Sequence, residues 1–413
     1  MKNNRILKNT TMLYIMNIAK MIFPLLTLPY LARVLSVECY GTVAYVKAVM
    51  QYMQLIIDFG FLNSGTKDIV NALKEKNDIG KEVGNILLAR LILAFIASTV
   101  LLVFTSMIPI LKENYVYVFL SFIPIVLSCF LFDYLFRGLE KMQIITERFV
   151  LMKSISTVLT FVFVKSDYDV LYIPILDILG TVAAVILVFI EINKLHIRIK
   201  ISAFRDIYLK IKISAVYFLS DIATTAFSAL NTLFIGIYIS TKDVAYWTLC
   251  LQMITAVQSL YTPITNGIYP EMIKTKNKKI VFNILYIFMP LIVFGCIILF
   301  VFAENILLLL GGGEYIGASM IFKWQIPILL FSFPAMLFGW PMLGAIEKAK
   351  ETTKTTVATA LIQILGLILL IMTNSFNVIN IAILRCVSEF LLMLFRILYC
   401  YKFRKEFIET KNR

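Results

Sequence analysis

The stretch PLLTLPYLAR, residues 24–33, ends an apolar run that begins at residue 10 and contains two prolines and an arginine. About 20 apolar residues are enough for a helix to cross the hydrocarbon core of a bilayer. This run is long enough and shows no strand-like alternation, so it predicts a membrane-spanning helix. Pro24 and Pro29 each remove a backbone hydrogen bond, and we therefore expect the helix to bend.

The same apolar character continues along the chain of 413 residues. Hydrophobic residues make up 60% of it and charged residues only 15%, whereas a soluble domain carries about 25% charged residues. Only helices and closed barrels satisfy the backbone in lipid, so an all-α polytopic membrane protein with twelve transmembrane helices is predicted. The apolar runs lie near 10–34, 41–63, 85–108, 116–136, 148–165, 169–192, 213–236, 244–268, 282–303, 319–343, 355–373 and 378–401.

Basic residues are distributed unequally between the predicted connectors. With the N-terminus in the cytoplasm, the inner segments hold 28 Lys and Arg residues, and the outer connectors hold three, Lys112, Lys165 and Lys242. Cytoplasmic loops carry such an excess, which predicts that both termini are cytoplasmic. Contacts with anionic lipid headgroups then account for the net charge of +14 without a nucleic-acid partner.

The two halves of the sequence echo each other. GLEKMQ at 138–143 follows the fourth run and AIEKAK at 345–350 follows the tenth, so six helices separate the matching segments. This is the spacing of a parallel repeat about an axis along the membrane normal. Residues 194–212 mix basic and apolar side chains and are predicted to form an amphipathic linker on the inner leaflet. The predicted organisation is a bundle over 1–193, a linker over 194–212, a second bundle over 213–401 and a basic tail over 402–413.

The sequence offers little material for enzyme chemistry. No connector is long enough for a soluble catalytic or nucleotide-binding domain. The single histidine, His196, excludes a His-based metal site or catalytic triad. The six cysteines show no short-spaced pairing and are interpreted as small apolar filler. We therefore predict neither a cofactor nor a metal, and no enzymatic activity.

Charged side chains within the predicted helices are candidate functional residues, because a charge in hydrocarbon is costly unless it is paired or hydrated. Lys20, Lys47 and Lys323 lie well inside their runs, and Lys20 shares a helix face with Asn17. Such a face is expected to meet a protein partner or a water-filled cavity rather than lipid. Other charges are placed near inner helix ends, where they can reach the headgroups: Asp58, Arg90, Asp133, Lys153 and Arg396.

Three further candidates concern carboxylates. Asp177 and Asp221 have no obvious local partner, so each is either an ion-binding group or a hydrogen-bond acceptor for a neighbouring helix. Arg385 and Glu389 are four residues apart on the predicted twelfth helix and can form an ion pair. A pair that locks helices together and a role in transport are both open for these two residues.

Several longer segments resemble a known family. PLLTLPYLARVL at 24–35, YGTVAYVKAVMQY at 40–52 and DFGF at 58–61 resemble the start of Wzx-type polysaccharide-unit flippases. NTLFIG at 231–236 and AVQSLYTPITNGIYPEM at 256–272 are similar to the second half of the same proteins. These flippases belong to the multidrug, oligosaccharidyl-lipid and polysaccharide exporter superfamily, and the resemblance spans nearly the whole chain.

The resemblance implies both a fold and a transported molecule. The fold would be two six-helix bundles around a central cavity that opens alternately to either side of the membrane. The substrate would be an oligosaccharide linked to undecaprenyl diphosphate, such as an O-antigen unit, which crosses the bacterial cytoplasmic membrane. Membrane lipids, a polysaccharide polymerase and a chain-length regulator would be the partners.

The resemblance also implies roles for the candidate residues. Basic side chains would hold the diphosphate: Lys20, Arg33, Lys47 and Lys323. Asp177 or Asp221 would couple transport to an ion gradient. Pro24 and Pro29 would form a hinge, and a packing kink beside a headgroup-seeking Arg33 is an equal alternative.

Other functions are open from the sequence. A cation-coupled multidrug exporter of the same superfamily is the main alternative, although the deep basic residues disfavour cationic drugs. A membrane polysaccharide polymerase or glycosyltransferase would need a large external loop or soluble face, and the connectors provide neither. A channel or scaffold is disfavoured by the paired six-helix design.

Overall fold

The computed structural model describes residues 2–201 and 204–407. Side chains are described over the same residues except 2–8, 10, 204, 219–220 and 223–228. The side chains of the predicted cytoplasmic Lys2, Arg5 and Lys8, and residues 408–413 of the predicted tail, therefore lie outside the described residues.

Packing divides the chain into two compact units, Met1–Thr225 and Ala226–Arg413. Every regular element in the described residues is a helix, which confirms the predicted all-α class. The helices of the first unit are α1 (Lys2–Val34), α2 (Val37–Asp58), α3 (Phe61–Glu75), α4 (Ile79–Met107), α5 (Pro109–Glu113), α6 (Tyr115–Leu127), α7 (Asp133–Gly138), α8 (Met142–Phe163) and α9 (Tyr172–Lys194). Short 3-10 turns occur at Ser128–Leu131 and Asp167–Asp169.

The second unit begins within α10 (Phe204–Tyr238), whose first part belongs to the first unit. Its other helices are α11 (Thr241–Ser259), α12 (Tyr261–Thr275), α13 (Lys278–Val301), α14 (Ala303–Gly311), α15 (Ser319–Gln325), α16 (Pro327–Leu337), α17 (Ala349–Met372) and α18 (Val378–Lys402). A 3-10 segment, Gly313–Ala318, precedes α15, and a π-helical segment, Phe338–Gly344, continues α16. A final 3-10 turn covers Arg404–Glu406.

The second unit repeats the helix order of the first. α3 and α12 are both 15 residues long, and each is followed by a lysine of positive φ, Lys76 at 57° and Lys276 at 48°. Glu140 and Glu347, at φ 56° and 65°, occupy the turns before α8 and α17. Positive φ is uncommon outside glycine. Because these glutamates belong to GLEKMQ and AIEKAK, the short sequence echo marks a repeated turn.

Eight helical segments of the described residues are long and apolar enough to cross a membrane: Thr11–Val34, Ile79–Met107, Tyr115–Gly138, Asp167–Lys194, Lys278–Val301, Pro327–Gly344, Ala349–Met372 and Val378–Lys402. The chain is therefore a multi-pass membrane protein. In the first unit, α2 and α8 are each 22 residues long but fall outside this set. The polar and charged side chains of these two helices lower their mean hydropathy. Lys47 lies on α2 and Lys153 lies on α8.

Both units break a membrane-spanning helix near its C-terminal end. In the first unit α6 gives way to a 3-10 turn, and Phe132 adopts a φ of 47° before α7 begins. In the second unit the break falls at Gly339, with a ψ of −110°. Arginines from neighbouring helices donate hydrogen bonds to backbone carbonyls at the breaks. The Arg90 guanidinium donates to the Ser128 carbonyl at 3.1 Å, and the Arg396 guanidinium donates to the Ala335 carbonyl at 2.7 Å. Broken helices at membrane depth need such partners.

The segment predicted as an amphipathic linker belongs to the first unit and packs closely against its helices. The Lys200 N–H donates to the Gly80 carbonyl at 3.0 Å, and Ile207 is fully buried in the core formed with α3, α4, α7, α8 and α9. A Cβ added at Gly84 would lie 2.0 Å from the Lys200 carbonyl oxygen, so only glycine allows this approach. Within residues 194–212, α10 begins at Phe204. The predicted domain boundaries stay predictions.

Two lysines fasten this segment by ion pairs. Lys200 lies 2.7 Å from Asp78, and its hydrogen bond holds the pKa of Asp78 below its ordinary value. Burial opposes the charged form of Lys210, but hydrogen bonds to Asp68 and Glu82 outweigh it and raise the pKa of Lys210. The Asp78 contribution to stability is lost as the pH falls through its folded pKa, and the Lys210 contribution as the pH rises through its own. Both pairs therefore stabilise the contact at neutral pH.

Candidate functional site

The exposed side of α2 is polar although the helix is packed on its other sides. Within α2 the exposed residues are Glu38, in the first turn, and Lys47 and Gln51, one turn apart in the middle. Gln54 and Asp58 continue the same side at spacings of three and four residues and are half-buried. Twelve other residues of α2 are buried. We call Lys47, Gln51, Gln54 and Asp58 the α2 polar stripe.

The polar and charged side chains of this stripe are unfavourable in contact with lipid. The strongly exposed residues of the neighbouring spans are apolar, as at Phe95 (74% exposed) and Met107 (73%) of α4. Uncharged polar and ionisable groups in a membrane are found facing a protein interior or a water-filled cavity. We therefore expect the α2 polar stripe to border an aqueous space rather than lipid, with Lys47 exposed to it.

Lys20 lies on the polar side of α1. The exposed apolar residues of this helix, which include Ile15, Ile18 and Ile22, share one face. Since each residue advances about 100° around a helix, Lys20 lies about 200° from Ile18 and projects from the opposite side. Its ammonium is 5.7 Å from the centre of the Phe149 ring on α8. Lys20 is thus exposed but turned away from the apolar face.

Pro24 affects the same part of α1. A proline lacks the N–H that would bond the carbonyl four residues earlier, which here is the carbonyl of Lys20. The structure assigns α1 as one helix from Lys2 to Val34 with Pro24 and Pro29 inside it. The helix is therefore weakened at the turn that carries Lys20, and the hinge role stays a prediction.

Lys153 and Asp177 form an ion pair between α8 and α9. The Lys153 ammonium is 3.5 Å from Oδ1 of Asp177, and the Ser156 hydroxyl donates to the same oxygen at 2.6 Å. Lys47 lies within Coulombic range of both charged partners. Within residues 2–201 and 204–407, Lys47 itself makes no hydrogen bond or close ion pair. The structure thus brings together two predicted site residues, Lys47 and Asp177, and adds Lys153.

Lys153 was expected near the inner end of its helix, and its position along the helix differs from that expectation. The apolar run predicts a helix that begins at residue 148, but α8 begins at Met142 because the polar segment MQIITER is also helical. Lys153 therefore lies in the middle of α8. The echo between GLEKMQ and AIEKAK was the available signal, since both segments lead into a helix.

A second charged group lies at the C-terminal end of the α2 polar stripe. Arg90 pairs with Asp58 at 2.6 Å, and Gln54 donates to the Ser128 hydroxyl at 3.1 Å. Arg148 pairs in the same way with Asp133. Asp221 of α10 lies within Coulombic range of Asp58. The predicted ion-coupling residues Asp177 and Asp221 thus belong to two different polar groups.

Three of the remaining candidate residues form ion pairs within the second unit. Lys323 of α15 pairs with Glu304 at 3.6 Å and lies 5.6 Å from the Phe300 ring centre. Arg385 and Glu389 are 2.9 Å apart and buried. Arg33 is exposed in the last turn of α1. None of these contacts by itself assigns a substrate role.

A buried chain of hydrogen bonds beside Glu389 was not foreseen from the sequence. Ser388 donates to Gln363 at 2.6 Å, and Gln363 donates to Asn231 at 2.9 Å. These residues come from α18, α17 and α10. Buried polar groups in a membrane protein need such internal partners. These hydrogen bonds therefore hold the three helices of the second unit together.

Comparison with known proteins identifies the family. Residues 6–276 match the model of the family described as polysaccharide biosynthesis protein, which is more than half of the chain. The chain belongs to this family. The sequence resemblance to transporters of polysaccharide units is thereby confirmed.

Two curated relatives of this polysaccharide biosynthesis family member carry the name "Putative O-antigen transporter". The one from Shigella dysenteriae is 26% identical over 272 residues, covering 65% of this chain and 68% of the relative. The one from Escherichia coli strain K12 is 24% identical over 392 residues, covering 92% and 93%. Both are named as transporters, which agrees with the prediction that the family member is not an enzyme.

Solved structures show the fold of this family member. The lipid II flippase MurJ, in an inward closed conformation, matches with a TM-score of 0.72 over 96% of this chain and 87% of that chain. An inward-facing multidrug resistance MATE transporter of the MOP superfamily matches with a TM-score of 0.65 over 96% of both. Each is 14% identical to this chain. At this identity the likeness shows the fold alone, which this chain shares with both transporters.

Proposed function

We propose that this protein is a flippase that moves an oligosaccharide linked to undecaprenyl diphosphate from the inner to the outer leaflet of the bacterial cytoplasmic membrane. Full-length similarity to a protein named as an O-antigen transporter supports the polysaccharide substrate. The fold of a lipid II flippase supports the lipid-linked form, because lipid II is itself a lipid-linked saccharide. An O-antigen unit or a similar repeat is the proposed substrate.

The observation that carries this proposal is the basic character of the α2 polar stripe and of the neighbouring face of α8. Lys47 of the stripe lies within Coulombic range of Lys153 and its partner Asp177, and Lys20 approaches Phe149, one helix turn before Lys153. A surplus of ammonium groups next to an aqueous space suits a phosphate-bearing substrate better than a cationic drug. Polar Gln51 on the same stripe can hydrogen-bond sugar hydroxyls.

The proposed architecture has twelve membrane-spanning helices in two six-helix bundles around a central cavity, with both termini in the cytoplasm. Eight apolar segments and the repeated helix order support it. The four remaining spans are those whose polar faces would line the cavity, and they include α2 and α8. Alternating opening of the cavity would carry the saccharide across while the lipid tail stays in the bilayer.

The remaining predicted roles fit this scheme as proposals. Arg33 would attract lipid phosphates at the membrane surface, and Lys323 would attract them in the second unit. Asp221, beside Asp58, is the proposed site of ion coupling. Arg385 and Glu389 form the proposed structural ion pair. A polymerase and a chain-length regulator remain the proposed protein partners, since they would act on the flipped saccharide.

Deletion of the gene in its native host tests the proposal. The expected result is loss of surface polysaccharide together with accumulation of the lipid-linked saccharide in the inner leaflet, because synthesis continues while export stops. Thin-layer chromatography of lipid extracts and immunoblots of surface polysaccharide measure the two effects. A plasmid copy should restore both. Normal surface polysaccharide combined with new sensitivity to cationic drugs would favour the multidrug exporter instead.

A further inference from the structure

We infer that Asp177 stands in for a substrate phosphate: it holds Lys153 while the site is empty and releases it to the second phosphate of a diphosphate bound at Lys47. This inference rests on the proposed function. It assigns Lys153 to the binding site and gives Asp177 a role other than ion coupling.

The ion pair between Lys153 and Asp177 is loose compared with the buried pair of Arg385 and Glu389. Its nitrogen–oxygen distance is 3.5 Å, and each side chain is 37% exposed. By comparison, Arg385 and Glu389 are 2.9 Å apart with side chains 11% and 7% exposed. An ammonium at 3.5 Å is held by charge rather than by a short hydrogen bond. Lys153 can therefore change partner without breaking a tight contact.

Asp177 keeps a second partner when Lys153 leaves. The buried Ser156 hydroxyl donates to Oδ1 of Asp177 at 2.6 Å, one helix turn from Lys153. A carboxylate that retains a hydrogen-bond donor and some exposure does not suffer the full cost of an unpaired buried charge. Ser156 thus anchors the carboxylate in both states.

The ammonium groups around this ion pair match the two phosphate groups of a diphosphate in number. Lys47 lies within Coulombic range of Lys153 and Asp177. Lys47 and Lys153 therefore provide one ammonium group for each phosphate group. A monophosphate has a single phosphate group, which Lys47 binds, so it would leave Lys153 paired with Asp177. Lys20, which approaches Phe149 four residues before Lys153 on the same side of α8, is the next ammonium group along this helix.

Competition between Asp177 and phosphate has a consequence for transport. A carboxylate next to the bound diphosphate weakens binding through like-charge repulsion. It also re-pairs with Lys153 as the product leaves. Asp177 therefore lowers affinity and speeds release, which a flippase needs because it must let go of the lipid on the other side.

Binding of short lipid phosphates to the purified protein in nanodiscs tests this inference. The probes are farnesyl diphosphate and farnesyl monophosphate, titrated by isothermal calorimetry. We expect Asp177→Asn to bind the diphosphate about tenfold tighter than wild type, because one neighbouring negative charge is removed. Lys153→Gln should lose the preference for diphosphate over monophosphate. Glu191→Gln removes a carboxylate near the C-terminal end of the same helix, away from Asp177, and should leave both affinities unchanged.

A measurement on wild-type protein avoids dependence on variants that fail to fold. Reductive methylation followed by mass spectrometry reports whether a lysine amine is accessible. The diphosphate probe should protect both Lys47 and Lys153, and the monophosphate probe should protect Lys47 alone. Equal protection of Lys153 by the two probes, or a folded Asp177→Asn variant that binds the diphosphate no tighter, would overturn the inference. A wild-type protein that binds neither probe would overturn the proposed function instead.

Discussion

Lys47→Gln is expected to lower the rate of saccharide transport by about 100-fold while the protein folds and inserts normally. A charged hydrogen bond to phosphate is worth about 1.5–3 kcal/mol, and the upper end of this range corresponds to roughly a hundredfold. Lys47 is exposed on a helix that is otherwise packed, and its ammonium makes no close ion pair in the described residues. Its neutralisation therefore removes a substrate contact without unpairing another charge.

Complementation of the deletion strain measures this effect through surface polysaccharide, and fluorescence-detected size-exclusion chromatography monitors folding. Lys47→Arg should retain part of the activity because it keeps the charge. Lys20→Gln should also abolish transport, since Lys20 lies on the polar side of α1. Lys67→Gln, on an exposed position of α3, is the matched control and should behave as wild type. Full surface polysaccharide with Lys47→Gln would remove this lysine from the site.

Arg385→Met is expected to destabilise the protein by about 3–5 kcal/mol, because it leaves Glu389 buried without its counter-charge. The two side chains are only 11% and 7% exposed, and their separation is 2.9 Å. Thermal unfolding in detergent, followed by size-exclusion chromatography, measures the loss. Lys194→Met breaks an ion pair with Glu191 whose lysine is 65% exposed. This control should change stability by less than about 1 kcal/mol.

The double variant Arg385→Met/Glu389→Gln distinguishes a structural pair from a transport role. Removal of both charges leaves no buried charge unpaired, so we expect it to recover most of the stability lost in Arg385→Met. If the pair only joins helix turns, the double variant should also transport. A stable double variant without transport would instead place Arg385 or Glu389 in the transport mechanism.

The sequence alone predicted the class of fold and part of the site. Apolar runs predicted the helices because lipid leaves the backbone few alternatives. The sequence predicts Lys20 and Lys47 as candidate site residues, and the structure places both on exposed polar sides of their helices. Asp177 was found as well, but its partner on α8 was not, because pairing between distant segments leaves no periodic signal in one sequence.

The helix breaks and the glycine contacts illustrate what a single sequence hides. The sequence predicts a bend at Pro24 and Pro29, whereas the helix breaks described above fall at Phe132 and Gly339. Tertiary donors such as Arg90 and Arg396 stabilise those breaks, and such donors come from other helices. Gly84 likewise has no special local pattern. Its role appears only where the Lys200 carbonyl approaches it.

Accessibility of Gln51 tests the central claim most directly. The claim is that the α2 polar stripe borders water rather than lipid. A cysteine is introduced at Gln51 or, as the lipid-facing control, at Phe95, in a protein whose six native cysteines are replaced by alanine. Open membrane fragments are then treated with a charged thiol reagent that does not enter lipid, or with a lipid-soluble maleimide.

We expect Gln51→Cys to react with the charged reagent and Phe95→Cys to react only with the lipid-soluble one. Labelling of Gln51→Cys by the lipid-soluble reagent alone would place the α2 polar stripe against lipid and contradict the account.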